Sequence, residues 1–213
     1  MALFDEKVKK QIKDILTAMK DDVSLAFFTQ EFECFACGDT RSFVEEIASL
    51  SEKIKLAIYD FQKDKDAADR YGVDKIPAIV INDKDNNHLG VTFYGLPGGY
   101  EINSFLGSLM EASGLREPLK DDIASRITAV DKDVHIQVFV TLTCPYCPGA
   151  VSTAHRLAME NKRIKADMID AGLFPHLVQK HQVSGVPRII INESHSMVGV
   201  QPIEKLLDVI EKM

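Results

Sequence analysis

Four cysteines stand in this chain as two Cys-x-x-Cys pairs, Cys34-Phe35-Ala36-Cys37 and Cys144-Pro145-Tyr146-Cys147. Two thiols at this spacing can close into a disulfide and open again, or can supply half of a tetrahedral thiolate metal site. The pairs are offset by 144 − 34 = 110 residues, and the same offset relates Pro187 to Pro77 and Asp170 to Asp60. A dithiol, an acid and a proline thus recur in the same order, and the chain reads as one unit written twice. The chemistry indicated is thiol–disulfide exchange at two sites. The alternative is a metal-binding or scaffold protein that uses both pairs as ligands. That reading requires the two repeats to face each other at their cysteines, and no residue is assigned to a metal on the preferred reading.

The elements that must position these residues follow from hydrophobic periodicity. In copy one, Leu3, Phe4, Val8, Ile12, Ile15, Leu16 and Met19 mark one helical face. An apolar run over 23–29 has the pattern of a strand buried on both sides. The Cys34 pair follows, then Phe43, Val44, Ile47 and Leu50 at helical spacing. Strand patterns cover 54–59, 76–81 (opening at Pro77) and 91–94. A short helix over 64–71 is closed by Gly72, and Ile102, Phe105, Leu106, Leu109 and Met110 form a last helix. Copy two repeats this, with a helix after Pro118, strands over 135–141, 163–169, 186–191 and 197–200, and helices from Cys147, over 174–181 and from Pro202. The order α-β-α-β-α-β-β-α predicts an α/β fold of two tandem domains, residues 1–115 and 116–213. Each is a central mixed β-sheet flanked by helices, with its first two strands parallel and its last two antiparallel. Each dithiol lies at a strand-to-helix turn with its second cysteine in the first helical turn, where unsatisfied N–H groups favour thiolate over thiol.

The 213 residues suffice for two such domains, each large enough for its own core. A net charge of −7 argues against a general nucleic-acid or anionic-membrane partner. The first twenty residues show no apolar signal-peptide region, and no apolar run approaches the ~20 residues of a membrane span. The expected location is cytoplasmic.

Cys-x-x-Cys after the first strand and a proline at the third make each copy resemble the thioredoxin fold. The chain as a whole resembles the two-domain protein disulfide oxidoreductases, also called glutaredoxin-like proteins, of thermophiles. The residues carrying this are Thr141-Leu-Thr-Cys-Pro-Tyr-Cys-Pro148, Tyr94-Gly-Leu-Pro-Gly-Gly-Tyr-Glu101, and the paired Ile76-Pro77 and Val186-Pro187 strands. The resemblance implies a protein-disulfide oxidoreductase with Cys34 and Cys144 as nucleophiles and Cys37 and Cys147 as resolving thiols. It also implies cis peptide bonds at Pro77 and Pro187, and substrate contact at the backbone of Ile76 and Val186. Tyr146 either touches substrate or packs. No bound cofactor is implied. Electrons come from an NAD(P)H-dependent flavoprotein of the thioredoxin reductase type, and the partners are disulfide-containing proteins, peroxiredoxins among them. The N-terminal module of the flavoprotein peroxiredoxin reductases is also a doubled thioredoxin fold but keeps only its second dithiol, whereas both pairs stand here.

Two departures from thioredoxin matter. No Trp precedes either dithiol, and Phe28 and Val138 stand where thioredoxin has a buried aspartate. The proton acceptor for the resolving cysteine is therefore unassigned. Glu31, Glu33 and Asp39 surround the first dithiol, whereas Thr141, Thr143 and Arg188 accompany the second. Negative charge opposes a thiolate, so Cys144 is expected to be the more acidic and the second site the better oxidant. Asp60 and Asp170 read as caps or turn residues. Gly98-Gly99 reads as a turn, since copy two lacks the pair. The six histidines show no ligand spacing.

Overall fold

The computed structural model of the chain describes residues 3–213. Two compact units are present. One comprises Met1–His88, Thr92–Leu96 and Leu109–Arg116; the other comprises Leu89–Val91, Pro97–Ser108 and Glu117–Met213. The second unit thus includes a segment from the first copy of the repeat.

The first copy runs α1 (Glu6–Leu16), β1 (Val23–Thr29), α2 (Cys37–Ser49), β2 (Ile54–Asp60), α3 (Lys65–Tyr71), β3 (Ala78–Asn82) and β4 (His88–Tyr94). A 3-10 turn (Gly99–Glu101) and α4 (Ile102–Ala112) close it. Apolar residues fill β1 and β3, and Phe27, Phe28, Ile79 and Ile81 are fully buried. β1 pairs parallel to β2, with Val23 opposite Ile54 and Thr29 opposite Asp60. It pairs antiparallel to β3, with Phe28 opposite Ala78, and β4 lies beside β3. Phe43, Val44 and Ile47 bury one face of α2. Gly72, at φ 68°, caps α3 in the left-handed conformation that glycine adopts without steric cost.

The second copy runs α5 (Asp121–Thr128), β5 (Val134–Val140), α6 (Cys147–Glu160), β6 (Ile164–Asp170), α7 (Pro175–Lys180), β7 (Arg188–Ile191), β8 (His195–Val198) and α8 (Ile203–Lys212). The register repeats that of copy one. β5 is parallel to β6 and antiparallel to β7, and β7 is antiparallel to β8. Leu206, Leu207 and Ile210 bury α8, and Arg126 of α5 ties it down through Glu211 and Asp208 at 2.7 and 2.8 Å.

Both proline-led strands begin one residue after the proline, at Ala78 and at Arg188. Proline has no N–H to give the ladder, so pairing starts with its neighbour. β4 begins at His88 and not at Val91 as the pattern suggested, and Gly90 lies within it at φ 75°. No helix among the described residues is long and apolar enough to cross a membrane.

Candidate active site

The first dithiol stands where β1 runs out. Residues 30–36 turn back to Cys37, the first residue of α2. Cys34 and Cys37 are joined as a disulfide (S–S 2.00 Å, Cα–Cα 5.4 Å), and the Cys37 N–H donates to the Cys34 carbonyl at 3.3 Å. Cys34 is half-buried while Cys37 is 2% exposed, so an outside sulfur meets the outer cysteine first. Phe35, between them, is 97% exposed. Because Ala78 is opposite Phe28, Pro77 lies at the end of the sheet from which the dithiol loop leaves. The Ile76–Pro77 bond is cis, Pro77 is buried, and its carbonyl accepts from the Gly95 N–H at 3.0 Å.

The second dithiol has the same build. Cys144 and Cys147 are disulfide-bonded with a Cα–Cα distance of 5.5 Å, and Cys147 opens α6. Cys144 is 8% exposed and Cys147 is fully buried. Arg188 is opposite Phe139, which puts the cis Val186–Pro187 bond beside the departing loop. The Pro187 carbonyl accepts from the Gly199 N–H at 2.9 Å. Tyr146 is largely exposed, and Val200 lies 3.5 Å from the position a Cβ on Gly149 would take.

Neither α2 nor α6 has a side-chain cap, so the first-turn N–H groups, of which Pro148 in α6 has none, are not met by a capping side chain. The two differ in charge: Asp39 stands in the first turn of α2, and the first turn of α6 has no acid. Each sulfur is bonded to its own partner. Among the described residues no group of three or more His, Cys, Asp or Glu could hold a metal ion.

The residue that sequence reading missed is Glu101. It ends the 3-10 turn, which packs against α6, and its residue is completely buried. The Tyr100 N–H donates to the carbonyl of Leu142, two residues before Cys144, at 3.0 Å. One carboxyl oxygen, Oε2, accepts from Ser104 Oγ at 2.5 Å; the other, Oε1, is buried with no hydrogen-bond partner. Burial pushes the Glu101 carboxyl up to about 7; the Ser104 hydrogen bond opposes this and the Asp170 charge adds to it. A carboxyl that burial raises toward neutrality, on a turn packed against the helix that Cys147 opens, is suited to proton exchange. The sequence did carry a signal. Glu101, Phe105 and Leu109 fall on one helical stripe, so an acid sits on an apolar face.

Gly99 makes this placement possible. It adopts φ 56°, and a Cβ there would stand 2.2 Å from the Leu142 carbonyl oxygen. Glycine at 99 is thus required by close backbone approach to the second dithiol loop. Gly99→Ala should cost about 1–3 kcal/mol of stability in denaturant titration, and should impair exchange at Cys144 and Cys147 while sparing Cys34 and Cys37.

Residues 134–211 match the family description of the thioredoxin domain. The structure superimposes on AhpF of the Enterococcus faecalis alkylhydroperoxide reductase with a TM-score of 0.91 at 29% identity, covering 97% of this chain and 99% of that one. It superimposes on a protein disulfide oxidoreductase from Aeropyrum pernix with a TM-score of 0.90 at 27% identity, covering 97% and 92%. The fold is thioredoxin, present twice. Among curated proteins, a Bacillus subtilis NADH dehydrogenase is 23% identical over 205 residues, and a component of the Staphylococcus aureus alkyl hydroperoxide reductase is 24% identical over 210. The chain spans 37% of the length of each.

In this doubled thioredoxin fold the paired aspartates have diverged. Asp60 Oδ1 accepts from the N–H groups of Gln62 and Lys63 at 3.0 Å, and those contacts hold its carboxyl below the usual range. It is the turn residue its position suggests. Asp170 is 8% exposed, accepts from the Gly172 N–H at 2.9 Å, and is pushed up by burial. It also belongs to the Glu101 environment. Among the described residues the buried acids are Glu101, Asp167 and Asp170, all in the second unit. His155 is buried against Ser108 (3.0 Å) and burial lowers it to about 3, so it is a neutral core residue.

Proposed function

We propose that this chain is a protein disulfide oxidoreductase that works through both dithiols. The observation that carries the reading is the twofold occurrence of one geometry. Each has a closed Cys-x-x-Cys pair at an uncapped helix start, with the outer sulfur the more accessible and a cis-proline strand beside it. The neighbouring structures at 29% and 27% identity support it.

In reduction, the Cys144 thiolate attacks one sulfur of a client disulfide, forms a mixed disulfide and expels the other client sulfur as a thiolate. Cys147 then gives up its proton and attacks Cys144, which closes the Cys144–Cys147 bond and releases the second client thiol. Glu101 takes the Cys147 proton on Oε1. Cys34 and Cys37 run the same sequence without a buried acid. Ile76 and Val186 offer backbone groups to the client strand, Pro77 and Pro187 hold that edge, and Tyr146 lines the approach. Two electrons pass to the client in each cycle, and an NAD(P)H-dependent flavoprotein reductase restores the dithiol. No cofactor is bound to the chain. Disulfide-bearing proteins, peroxiredoxins among them, are the clients, and the work is done in the cytoplasm. Domain limits of 1–115 and 116–213 are part of this proposal.

The test is reduction of insulin by the wild-type chain with dithiothreitol as electron source, together with thiol counting and metal analysis of protein purified under reducing conditions. Catalysed insulin reduction with four reactive thiols is expected. No catalysis, unreactive thiols and about one zinc per chain would transfer the assignment to the metal-binding reading.

A further inference from the structure

The two dithiols are set in different surfaces. Glu31, Phe32 and Glu33 precede Cys34 and are exposed, Phe32 by 56%; Phe35 projects at 97% exposure, and Asp39 is exposed one turn into α2. Glu33 adopts φ 54°, so the acidic segment turns sharply as it enters the dithiol. No basic residue occurs from Gln30 to Thr40, and Arg41 is engaged by Glu45 at 2.9 Å. On the strand side, Lys75 is held over the Tyr94 ring at 3.7 Å and pairs with Asp74. Around the second dithiol, Thr141 to Pro148 contains no charged residue.

We infer that the first dithiol selects protein disulfides flanked by lysine or arginine and lying beside an apolar pocket, with Glu31, Glu33 and Asp39 as the specificity residues and Phe35 as the docking side chain. This rests on the exchange function proposed above. Three carboxylates within nine residues of one sulfur raise the local concentration of cationic partners and repel anionic ones. A fully exposed phenylalanine inside a reactive loop has an apolar ring whose burial awaits a partner. The step remains exchange. The Cys34 sulfur bonds to the client sulfur and the client thiolate leaves. Cys37 then closes the pair, and the two electrons are replaced by an external dithiol. The second dithiol, whose loop from Thr141 to Pro148 carries no charge and beside which Arg188 follows Pro187, lacks this preference for cationic clients. One chain would thus serve two client sets.

The test uses Cys144→Ser/Cys147→Ser protein, which keeps only the first dithiol, and Cys34→Ser/Cys37→Ser protein, which keeps only the second. Each is pre-reduced and mixed with two synthetic disulfide peptides that differ only in flanking lysines or glutamates. The first-dithiol protein should reduce the lysine peptide about tenfold faster than the glutamate peptide at low salt. The ratio should approach one at about 1 M salt, where the screening length is about 3 Å. Glu31→Gln/Glu33→Gln/Asp39→Asn in that background should remove the preference, and the second-dithiol protein should show little. Equal ratios for the two proteins, or a preference that survives loss of the three charges, overturns the inference while leaving the exchange function intact. Failure of both proteins to reduce even uncharged hydroxyethyl disulfide overturns the exchange function with it.

Discussion

Cys144→Ser should remove most of the insulin-reducing activity, and Cys34→Ser should leave most of it. Serine keeps the shape of the side chain but gives no thiolate at neutral pH, so each variant silences one site. The sites are unequal for two structural reasons. The first turn of α6 has no acid and that of α2 has Asp39, so the positive end of the helix is less offset at Cys144. Among the described residues the buried acids all lie in the second unit, Glu101 on the turn that packs against α6, and positioned general bases contribute about 10²–10⁴-fold. The residual rate of Cys144→Ser should therefore be at least about tenfold below that of Cys34→Ser. Titration of thiolate absorbance in the two single-site proteins should find Cys144 the more acidic. Activity lost mainly in Cys34→Ser would keep the function and reverse the order of the sites.

Much of this arrangement could be read from residues alone, because the features were local. β1 and β3 are apolar runs and β5 and β7 are largely apolar, and both dithiols fall where such a segment gives way to helical spacing. The prolines were found by the repeat, and the ladder's later start follows from their missing N–H. β4 was read three residues short because His88, Leu89 and Gly90 look like the end of a turn. A Cβ on Gly90 would stand 2.5 Å from the Ile164 carbonyl, so the glycine marks a close approach within a strand. The divergence of Asp60 from Asp170 was beyond reach, since the two share a position in the repeat and differ in what buries them. Glu101 was hidden by the assumption that each copy supplies its own site. The buried acid on the turn that packs against α6 lies in the first copy's sequence, in the Pro97–Ser108 segment that the second unit includes. At the position where thioredoxin has its aspartate, each repeat offers only an apolar residue, Phe28 or Val138.

Glu101→Gln should make the protein more stable and less active, and both effects should depend on pH. Glutamine keeps an oxygen to accept from Ser104 but has no charge to desolvate. In the wild type, burial raises the carboxyl from 4.5 to about 7. Below pH 4.5 both folded and unfolded chains hold the proton, and the residue adds no pH dependence. Between 4.5 and about 7 the folded chain keeps the proton that the unfolded chain has lost, so stability falls as pH rises. Above about 7 the residue's cost is constant, at about 3 kcal/mol from about 1.36 kcal/mol per pH unit. Denaturant titrations of Glu101→Gln and wild type should therefore nearly coincide at about pH 4 and separate by up to about 3 kcal/mol at about pH 8, with the variant the more stable. Activity should move the other way. Without Oε1 to take the Cys147 proton, resolution of the mixed disulfide should slow about 100-fold at neutral pH. The pH–rate profile of the Cys34→Ser/Cys37→Ser protein should also lose its limb near 7. A merely structural role predicts a stability change with an unaltered profile, which would remove Glu101 from the proton path. Loss of rate with a gain in stability would mean that the chain keeps an unfavourable buried acid for the sake of the second dithiol.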